Sequence, residues 1–274
     1  KNLGNQVRQA AQIVLSETLP PVAYPRIIAH RCGGALAPEN TLAGLYIAMR
    51  MGCRGVEFDV ALTADGVPIL MHDETLERTT NGAGWVSNKT AADIAQLDAG
   101  SKHHQAFAAS PARPEGSTLG VPTFQAALQT CAKLGLWANV EIKPTPGTEV
   151  ETGRVVATLA ATHCANNPAA TLLLSSFSTL ALQQAQRLAP TIPRALLTKT
   201  IPADWREQLA ACGASALHTA AAGIGAESIV PLCNNGIALA CYTVNDRATA
   251  AALFKANVSA IFTDRIDLWL PEEM

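Results

Sequence analysis

The sequence predicts a (β/α)8 barrel, the TIM-barrel class of α/β fold. Short apolar segments of strand-like composition alternate with helical segments along most of the 274-residue chain. Such alternation is typical of a parallel sheet whose two faces are both covered. Eight units follow one another, which matches this barrel in number and in its usual length of about 250 residues. A doubly wound sheet is the alternative, but no Gly-x-Gly-x-x-Gly pattern follows the first strand.

Eight predicted strands account for the barrel, and nearly all of them are followed by a predicted helix. The strands are placed at residues 26–30, 55–60, 137–143, 171–177, 194–199, 216–220, 237–244 and 260–264. The helices, which show the helical pattern of apolar residues, are placed at about 40–51, 123–134, 149–165, 179–189, 203–212, 226–234 and 246–255.

One segment after the second strand departs from this alternation. It reads "ALTADGVPILMHD", in which Asp65-Gly66 is the signal for a hairpin with a two-residue loop. A hairpin folded about these two residues pairs Asp59 with His72. The prediction therefore places His72 beside the acidic residues at the end of the second strand.

The barrel domain is expected to span residues 24–274 and to contain an insertion. Residues 74–120 are rich in Gly, Pro, Ser and Ala, and we predict an irregular excursion over the mouth of the barrel. Residues 1–23 are predicted to form an N-terminal extension with an amphipathic helix at about 4–16. This helix packs either on the base of the barrel or on a second subunit, so a homodimer is compatible with the sequence.

Composition argues against several classes of protein. The net charge of −2 does not favour a nucleic-acid-binding protein. No apolar stretch approaches the roughly 20 residues of a membrane span, and the N-terminal apolar run is too short for a signal peptide. Seven cysteines without a Cys-x-x-Cys pattern favour free thiols over disulfides or a zinc site. We therefore expect a cytoplasmic protein without stable membrane insertion.

Polar residues concentrate where the predicted strands end. In (β/α)8 barrels the active site forms at the carboxyl ends of the strands. The residues at these ends are His30, Arg31, Glu57, Asp59, His72, Asp73, Glu141 and Lys143. One mouth of the barrel is therefore predicted to gather histidines, carboxylates and cationic side chains.

Three of these residues, Glu57, Asp59 and Glu141, predict a metal site. Glu57 and Asp59 are two residues apart, so their side chains point to the same face of the second strand. Buried acids without partners are costly and repel one another, and a divalent cation removes both penalties. Oxygen-only ligands suit Mg²⁺, Ca²⁺ or Mn²⁺ better than zinc. The alternative is a structural network in which the acids pair with neighbouring arginine and lysine side chains.

Two histidines beside such a metal suggest general acid–base chemistry. With an unperturbed pKa near 6.5, one of His30 and His72 can take a proton while the other gives one. Arg31 and Lys143 provide local positive charge for an anionic substrate, and arginine binds phosphate with two N–H groups. His218, in the sixth strand, is placed either at the mouth or in the core.

The chain as a whole resembles the glycerophosphodiester phosphodiesterases, most closely their short, cytosolic bacterial type. The resemblance runs from about residue 24 to the C-terminal end. The motifs that carry it, in the order and spacing of that family, are "AHRCGGALAPENT", "VEFDVALTADGVPILMHD", "LERTTNG", "NVEIKP", "LLSSF", "YTVN" and "FTD". Together these motifs are highly specific, although each one alone is a weak signal.

The resemblance implies a phospholipase C-like barrel with a small inserted subdomain after the "HD" motif. It also implies hydrolysis of glycerophosphodiesters to sn-glycerol 3-phosphate and an alcohol. The substrate is then a small molecule. The family's roles fall on residues already selected by spacing and strand position. The metal ligands correspond to Glu57, Asp59 and Glu141, the acid–base pair to His30 and His72, and the phosphate contacts to Arg31 and Lys143.

Two positions depart from the family pattern. The family usually reads His-Arg-Gly where this chain has Cys32, and often has Trp where this chain has Tyr242. Neither departure removes a proposed catalytic group. A cysteine adopts a positive φ only at a cost, so the conformation of this turn is left open.

Two rival functions are a metal-dependent lyase or isomerase on the same barrel and a catalytically inactive barrel that only binds phosphodiesters.

Overall fold

A computed structural model describes residues 22–103 and 119–274. The predicted helix at 4–16 lies outside these residues. The strands are β1 (Ile27–Ala29), β2 (Gly55–Leu62), β3 (Pro68–Leu70), β4 (Trp137–Ile142), β5 (Leu172–Ser176), β6 (Arg194–Thr198), β7 (Ala216–Ala220), β8 (Ala238–Tyr242) and β9 (Ala260–Thr263). The helices are α1 (Leu42–Met51), α2 (Ala91–Ile94), α3 (Phe124–Leu134), α4 (Glu149–Asn166), α5 (Thr179–Leu188), α6 (Trp205–Cys212), α7 (Ala226–Cys233) and α8 (Arg247–Lys255).

Eight parallel strands close into a barrel, which confirms the predicted fold class. The order around the sheet is β1-β9-β8-β7-β6-β5-β4-β2, and pairing between β1 and β2 closes the ring. The hairpin strand β3 runs antiparallel along β2. Helices alternate with the barrel strands, and each predicted strand and barrel helix is present within a few residues of its expected bounds. Among the described residues, no helix is long and apolar enough to cross a membrane.

Small side chains fill much of the barrel interior. Ala195 and Ala216 cluster with Leu173, and the larger rings of Tyr24 and Trp137 pack against them. The two rings lie 5.5 Å apart between centroids. Filling the interior with layers of side chains makes it a packed core rather than a pore. The polar site is therefore confined to the mouth.

His218 belongs to this core and not to the mouth. Its side chain is fully buried, its Nε2 lies 2.8 Å from the hydroxyl of Tyr24, and its ring lies 5.0 Å from that of Phe262. Burial lowers the pKa of His218 to about 3, because a charged imidazole would lose its hydration there. The histidine is neutral in the folded protein at physiological pH.

A neutral buried histidine makes stability depend on pH. Between pH 6.5 and 3 the unfolded chain binds a proton at His218 that the folded protein does not, so stability falls as the pH falls. From pH 7 to 5 this group alone should cost about 2 kcal/mol of unfolding free energy. We expect His218→Gln to lose correspondingly less than the wild type in urea unfolding at the two pH values. An equal loss in both proteins would contradict a neutral His218.

The hairpin is present, but its predicted register is wrong by one residue. Val60 pairs with Leu70 and Leu62 with Pro68, and the backbone N–H of Met71 donates to the carbonyl of Asp59. Asp59 therefore lies opposite Met71 rather than His72. The connecting loop has three residues rather than two, and it ends at Gly66 with φ of 75°. A three-residue loop closed by a left-handed glycine is the next most common hairpin after the two-residue type.

The described part of the predicted insertion is more ordered than its composition suggested. Thr75 and Trp85 form a β-bridge, and the short helix α2 follows at Ala91–Ile94. Leu76, Val86 and Ile94 are buried in an apolar cluster separate from the main core. Residues 104–118 lie outside the described residues. The remainder is a compact lobe beside the barrel mouth, because its own apolar cluster holds it together.

Candidate active site

Three carboxylates meet at the carboxyl ends of β2 and β4. Asp59 and Glu141 are paired in register on the two neighbouring strands, and Glu57 lies one inward-facing position below Asp59. One oxygen atom from each of the three lies within 4.8 Å of the others. Glu57 and Asp59 are 3% and 1% exposed. The structure thus brings together the three predicted metal ligands.

The three carboxylates are buried close together, so their ionised forms need nearby positive charge. Burial, together with Asp59 and Glu141, raises the pKa of Glu57 well above its ordinary value. Burial and the neighbouring Asp59 raise the pKa of Glu141 to about 7. Glu57 Oε2 accepts a hydrogen bond from the backbone N–H of Arg31 at 2.9 Å, but its Oε1 is buried without a partner among the described residues. An orphaned buried carboxylate oxygen fits a cation ligand.

Side-chain cations supply part of this charge. Lys143 Nζ lies 3.3 Å from Glu141 Oε1 and 3.7 Å from Asp59 Oδ1. Burial alone would lower the pKa of Lys143, but the two carboxylates raise it above its ordinary value. The Nε of Arg31 lies 3.9 Å from Asp59 Oδ2. A purely structural charge network is therefore incomplete, because no described cation reaches Glu57 Oε1 within hydrogen-bond distance.

Asn40 fixes the orientation of Asp59. Its side-chain N–H donates to Asp59 Oδ2 at 2.9 Å, and its carbonyl oxygen accepts the backbone N–H of Asp59 at 3.1 Å. Thr41, the next residue, caps α1 by accepting the N–H of Gly44. Thr41 therefore caps the helix, and Asn40 holds the carboxylate.

His30 follows β1 and presents one nitrogen to the carboxylates. Its Nδ1 lies 2.8 Å from Asp264 Oδ1, and its Nε2 lies 3.9 Å from Glu57 Oε2. Asp264 also accepts a hydrogen bond from Asn245. Burial opposes ionisation of Asp264, but hydrogen bonds from His30 and Asn245 keep its pKa below the ordinary value. An ionised carboxylate at Nδ1 leaves Nε2 as the nitrogen available for proton transfer.

His72, which follows β3, has the same arrangement. Its Nδ1 lies 2.6 Å from Asp73 Oδ1, and Asp73 in turn accepts hydrogen bonds from Arg78. Burial lowers the pKa of His72 below its ordinary value, although Asp59 and Asp73 act in the opposite direction. Each predicted acid–base histidine is therefore oriented by a carboxylate at Nδ1, which leaves Nε2 free to act.

Arg31 and Cys32 form a tight left-handed turn between β1 and α1. Their φ angles are 50° and 78°, so the turn keeps the conformation that glycine would favour. Arg31 directs Nη1 to Glu39 at 3.1 Å. Gly34 is required nearby, because a Cβ there would collide with the backbone of Asp264. This close approach brings Asp264 to His30.

Cys32 itself is a fully buried side chain in the core. Burial raises the pKa of its thiol well above the ordinary value, which makes it a poor nucleophile. We expect Cys32→Gly to retain kcat within about twofold, because glycine adopts this backbone conformation more readily. Steady-state kinetics of the variant provide the measurement. A loss of activity of about tenfold or more, about 1.4 kcal/mol in the barrier, would show a role in catalysis.

A cavity of about 870 Å³ opens beside this cluster. His72, Glu141 and Lys143 are among the residues that line it. Its wall also includes Trp85 from the lobe and Phe177 from the loop after β5. A cavity of this size accommodates a small organic ligand. Three of the seven predicted site residues thus border a space where a substrate can bind.

Several residues of the site were not assigned a role from the sequence. They are Glu39, Asn40, Asp73, Arg78 and Asp264. All five lie within motifs of the resemblance, and that position was the available signal. Arg78 donates to both Asp73 and Glu39, which lies 39 residues away in the sequence. Such a contact depends on the fold and leaves no local pattern.

Comparisons with known proteins match the chain to one family. The model of the glycerophosphoryl diester phosphodiesterase family matches residues 30–268. A glycerophosphodiester phosphodiesterase from Bacillus subtilis is 32% identical over 88% of this chain and 84% of its own length. A protein of the same name from Caldanaerobacter subterraneus is 31% identical over 87% of this chain and 93% of its own.

Solved structures give the same result. A phosphodiesterase from Oleispira antarctica, in complex with the product sn-glycerol 3-phosphate, superposes with a TM-score of 0.77. It is 31% identical, and the match covers 88% of this chain and 93% of the other. A glycerophosphodiester phosphodiesterase from Agrobacterium tumefaciens has a TM-score of 0.68 at 27% identity, with 89% and 98% of the two chains covered.

Proposed function

The chain belongs to the glycerophosphoryl diester phosphodiesterase family and is an enzyme that hydrolyses glycerophosphodiesters to glycerol 3-phosphate; we propose that it uses one divalent cation and two histidines. We assign this chemistry to residues 24–274; the described part of the insertion at 74–120 lies beside the site. The observation that carries the proposal is the meeting of three carboxylates near two histidines, each histidine oriented by its own carboxylate.

Glu57, Asp59 and Glu141 are the residues that would hold the cation. Their donor set is all oxygen, which suits Mg²⁺, Ca²⁺ or Mn²⁺. Two observations support this fit: Glu57 Oε1 has no partner among the described residues, and the pKa values of Glu57 and Glu141 are raised. A bound cation would give the oxygen a partner and would compensate the buried negative charge. When bound, the cation would provide electrostatic stabilisation for the charge that develops on the phosphoryl oxygens.

The two histidines move the protons. One takes a proton from the attacking hydroxyl, and the other gives a proton to the departing alkoxide, each through Nε2. Asp264 and Asp73 hold the imidazole rings in the tautomer that presents Nε2. Two nucleophiles suit this geometry: the 2-hydroxyl of the glycerol, which gives a cyclic phosphate first, and a water molecule that attacks directly.

Lys143 and Arg31 are the proposed phosphate contacts. Lys143 lines the cavity beside Glu141, so its ammonium can reach a bound phosphate. Arg31 is turned toward Glu39, and its Nε lies near Asp59. In this position the guanidinium of Arg31 lies next to Glu39 and Asp59, so its positive charge also offsets the negative charge of these carboxylates.

Release of glycerol 3-phosphate from purified protein tests this proposal. We expect turnover of glycerophosphodiesters with Mg²⁺, Ca²⁺ or Mn²⁺ and its loss with EDTA. A metal-dependent lyase or isomerase would instead convert a sugar phosphate and leave glycerophosphocholine intact. An inactive barrel would bind a glycerophosphodiester without releasing product. Either of these results, or full activity after complete chelation, would contradict the proposal.

A further inference from the structure

The outer arm of the cavity has a distinct chemical character. We use this name for the part of the cavity wall formed by Glu74, Trp85, Glu149, Phe177 and Leu180, whereas His72, Glu141 and Lys143 line the same cavity next to the carboxylate cluster. Trp85, Phe177 and Leu180 are each about half exposed. Large apolar side chains kept at the wall of a cavity mark a ligand-binding surface.

The two sides of this outer arm come from different parts of the fold. Glu74 follows His72 by two residues, and the N–H of Val86 donates to the carbonyl of Glu74 at 2.9 Å. The β-bridge between Thr75 and Trp85 completes this small ribbon. Its position is therefore fixed relative to His72. Phe177 on the opposite side packs edge-on against Tyr242, with ring centroids 6.3 Å apart.

The outer arm is also negative. Among the described residues, Glu74 and Glu149 form no ion pair with a lysine or an arginine. Glu149 Oε1 accepts only the backbone N–H of Gly147, at 3.1 Å. Aromatic faces beside uncompensated carboxylates attract an organic cation, through the ring quadrupole and through direct charge attraction.

We propose that the outer arm is the subsite for the alcohol part of the substrate and selects an alcohol that carries an ammonium group. This inference rests on the proposed function. A glycerophosphodiester has substituents on two sides of its phosphate, and the cavity that Lys143 lines is also lined by Trp85 and Glu74. With the phosphate at Lys143, the alcohol occupies the outer arm, and its cation meets Trp85 and Glu74. Neutral alcohols such as glycerol or inositol lack this attraction.

Substrate competition tests this selectivity. We expect the kcat/KM of the wild type to be higher for glycerophosphocholine and glycerophosphoethanolamine than for glycerophosphoglycerol and glycerophosphoinositol, by about fivefold or more. Trp85→Ala and Glu74→Gln should each reduce this preference several-fold, mainly through KM. Trp85→Phe should retain most of it, because the ring remains. Val230→Ala removes an equally exposed apolar side chain from α7, outside the cavity, and is the control.

The outcomes separate the two proposals. If no glycerophosphodiester is hydrolysed, the proposed function is wrong. If all four are hydrolysed at similar rates, or if Trp85→Ala slows charged and neutral substrates equally, the subsite is wrong and the proposed function stands. Added salt should weaken the preference of the wild type, since charge attraction at an exposed site is screened.

A second inference concerns the ion pairs that link the two sides of the site. Arg78 donates from Nη1 and Nη2 to the two oxygens of Glu39, both at 2.7 Å, and also donates to Asp73. Glu39 accepts from Arg31 as well, at 3.1 Å. Single exposed ion pairs contribute little, but a connected set with paired N–H donors holds its members in one geometry.

We infer that Arg78 is a positioning residue that acts on His72 through Asp73. One carboxylate oxygen of Asp73 contacts the imidazole, and Arg78 fixes the plane of that carboxylate. The same guanidinium donates to Glu39, which also accepts from Arg31, so these contacts connect the lobe with the turn at Arg31. The relative placement of His72 and the metal-ligand cluster therefore depends on Arg78.

A double-mutant cycle tests this role. We expect Arg78→Ala to lower kcat by about tenfold or more with little change in KM, and guanidinium in solution or Arg78→Lys to restore part of the loss. In a His72→Ala background the same substitution should have almost no further effect. Additive losses in the double variant, or an unchanged kcat in Arg78→Ala, would contradict the inference. Arg154→Ala, which breaks an exposed ion pair on α4, is the matched control.

Discussion

Replacing His30 or His72 by alanine is expected to lower kcat for glycerophosphodiester hydrolysis by about 10²–10⁴-fold. Each histidine has an aspartate at Nδ1, so each substitution removes an oriented proton carrier and leaves the carboxylate cluster in place. The loss should appear in kcat, because proton transfer occurs in the transition state and not in substrate binding. Steady-state release of glycerol 3-phosphate measures it.

The leaving group can assign the two roles. A substrate with a more acidic alcohol needs no protonation, so it should recover most of the activity of the variant that lacks the general acid. The variant that lacks the general base should recover none. His163→Ala is the control, since this residue lies on α4 outside the site. Near-wild-type kcat in both His30→Ala and His72→Ala would overturn the acid–base assignment.

Glu57→Gln is expected to abolish metal-dependent stabilisation of the protein as well as activity. In the wild type, a cation at 100 times its Kd should stabilise the fold by about 2.7 kcal/mol, whereas the variant should gain almost nothing. Glutamine keeps the size of the side chain but removes a buried negative charge. The metal-free variant should therefore be at least as stable as the metal-free wild type, because burial and neighbouring acids already raise the pKa of Glu57.

Thermal unfolding with and without Mg²⁺, Ca²⁺ or Mn²⁺ gives the comparison. Asp59→Asn and Glu141→Gln should follow Glu57→Gln in losing the response to metal. Glu151→Gln, an exposed substitution on α4, should respond as the wild type does. A full metal response in Glu57→Gln would place the cation elsewhere and contradict the proposed ligand set.

The fold was predictable because its signals are local. Each barrel strand is a short apolar segment bounded by turns, and each helix has a clear pattern, so the order of units determines the barrel. The two-residue spacing of Glu57 and Asp59 placed both on one face without further information. Their position at the end of a strand was also predictable from the sequence, and strand ends are where barrel enzymes have their active sites.

The remaining features depend on geometry that the sequence does not encode locally. The hairpin register was missed by one residue because Asp65-Gly66 suits both a two-residue and a three-residue loop. Asp264 reaches His30 across 234 positions of sequence, through closure of the barrel between β1 and β9. The composition of the insertion predicted irregular structure, because its Gly-rich segments contain only a few well-spaced apolar residues such as Leu76 and Ile94. A small inserted subdomain was implied only by the family resemblance.

A crystal structure with Mn²⁺ and sn-glycerol 3-phosphate tests the account most directly, because the anomalous signal of manganese locates the cation without ambiguity. We expect a single Mn²⁺ bound by Glu57, Asp59 and Glu141, with the phosphate of the product in contact with it and within reach of Lys143. Nε2 of His30 and of His72 should lie on opposite sides of that phosphate. Manganese bound away from these carboxylates, or a phosphate that neither histidine can reach, would contradict the account.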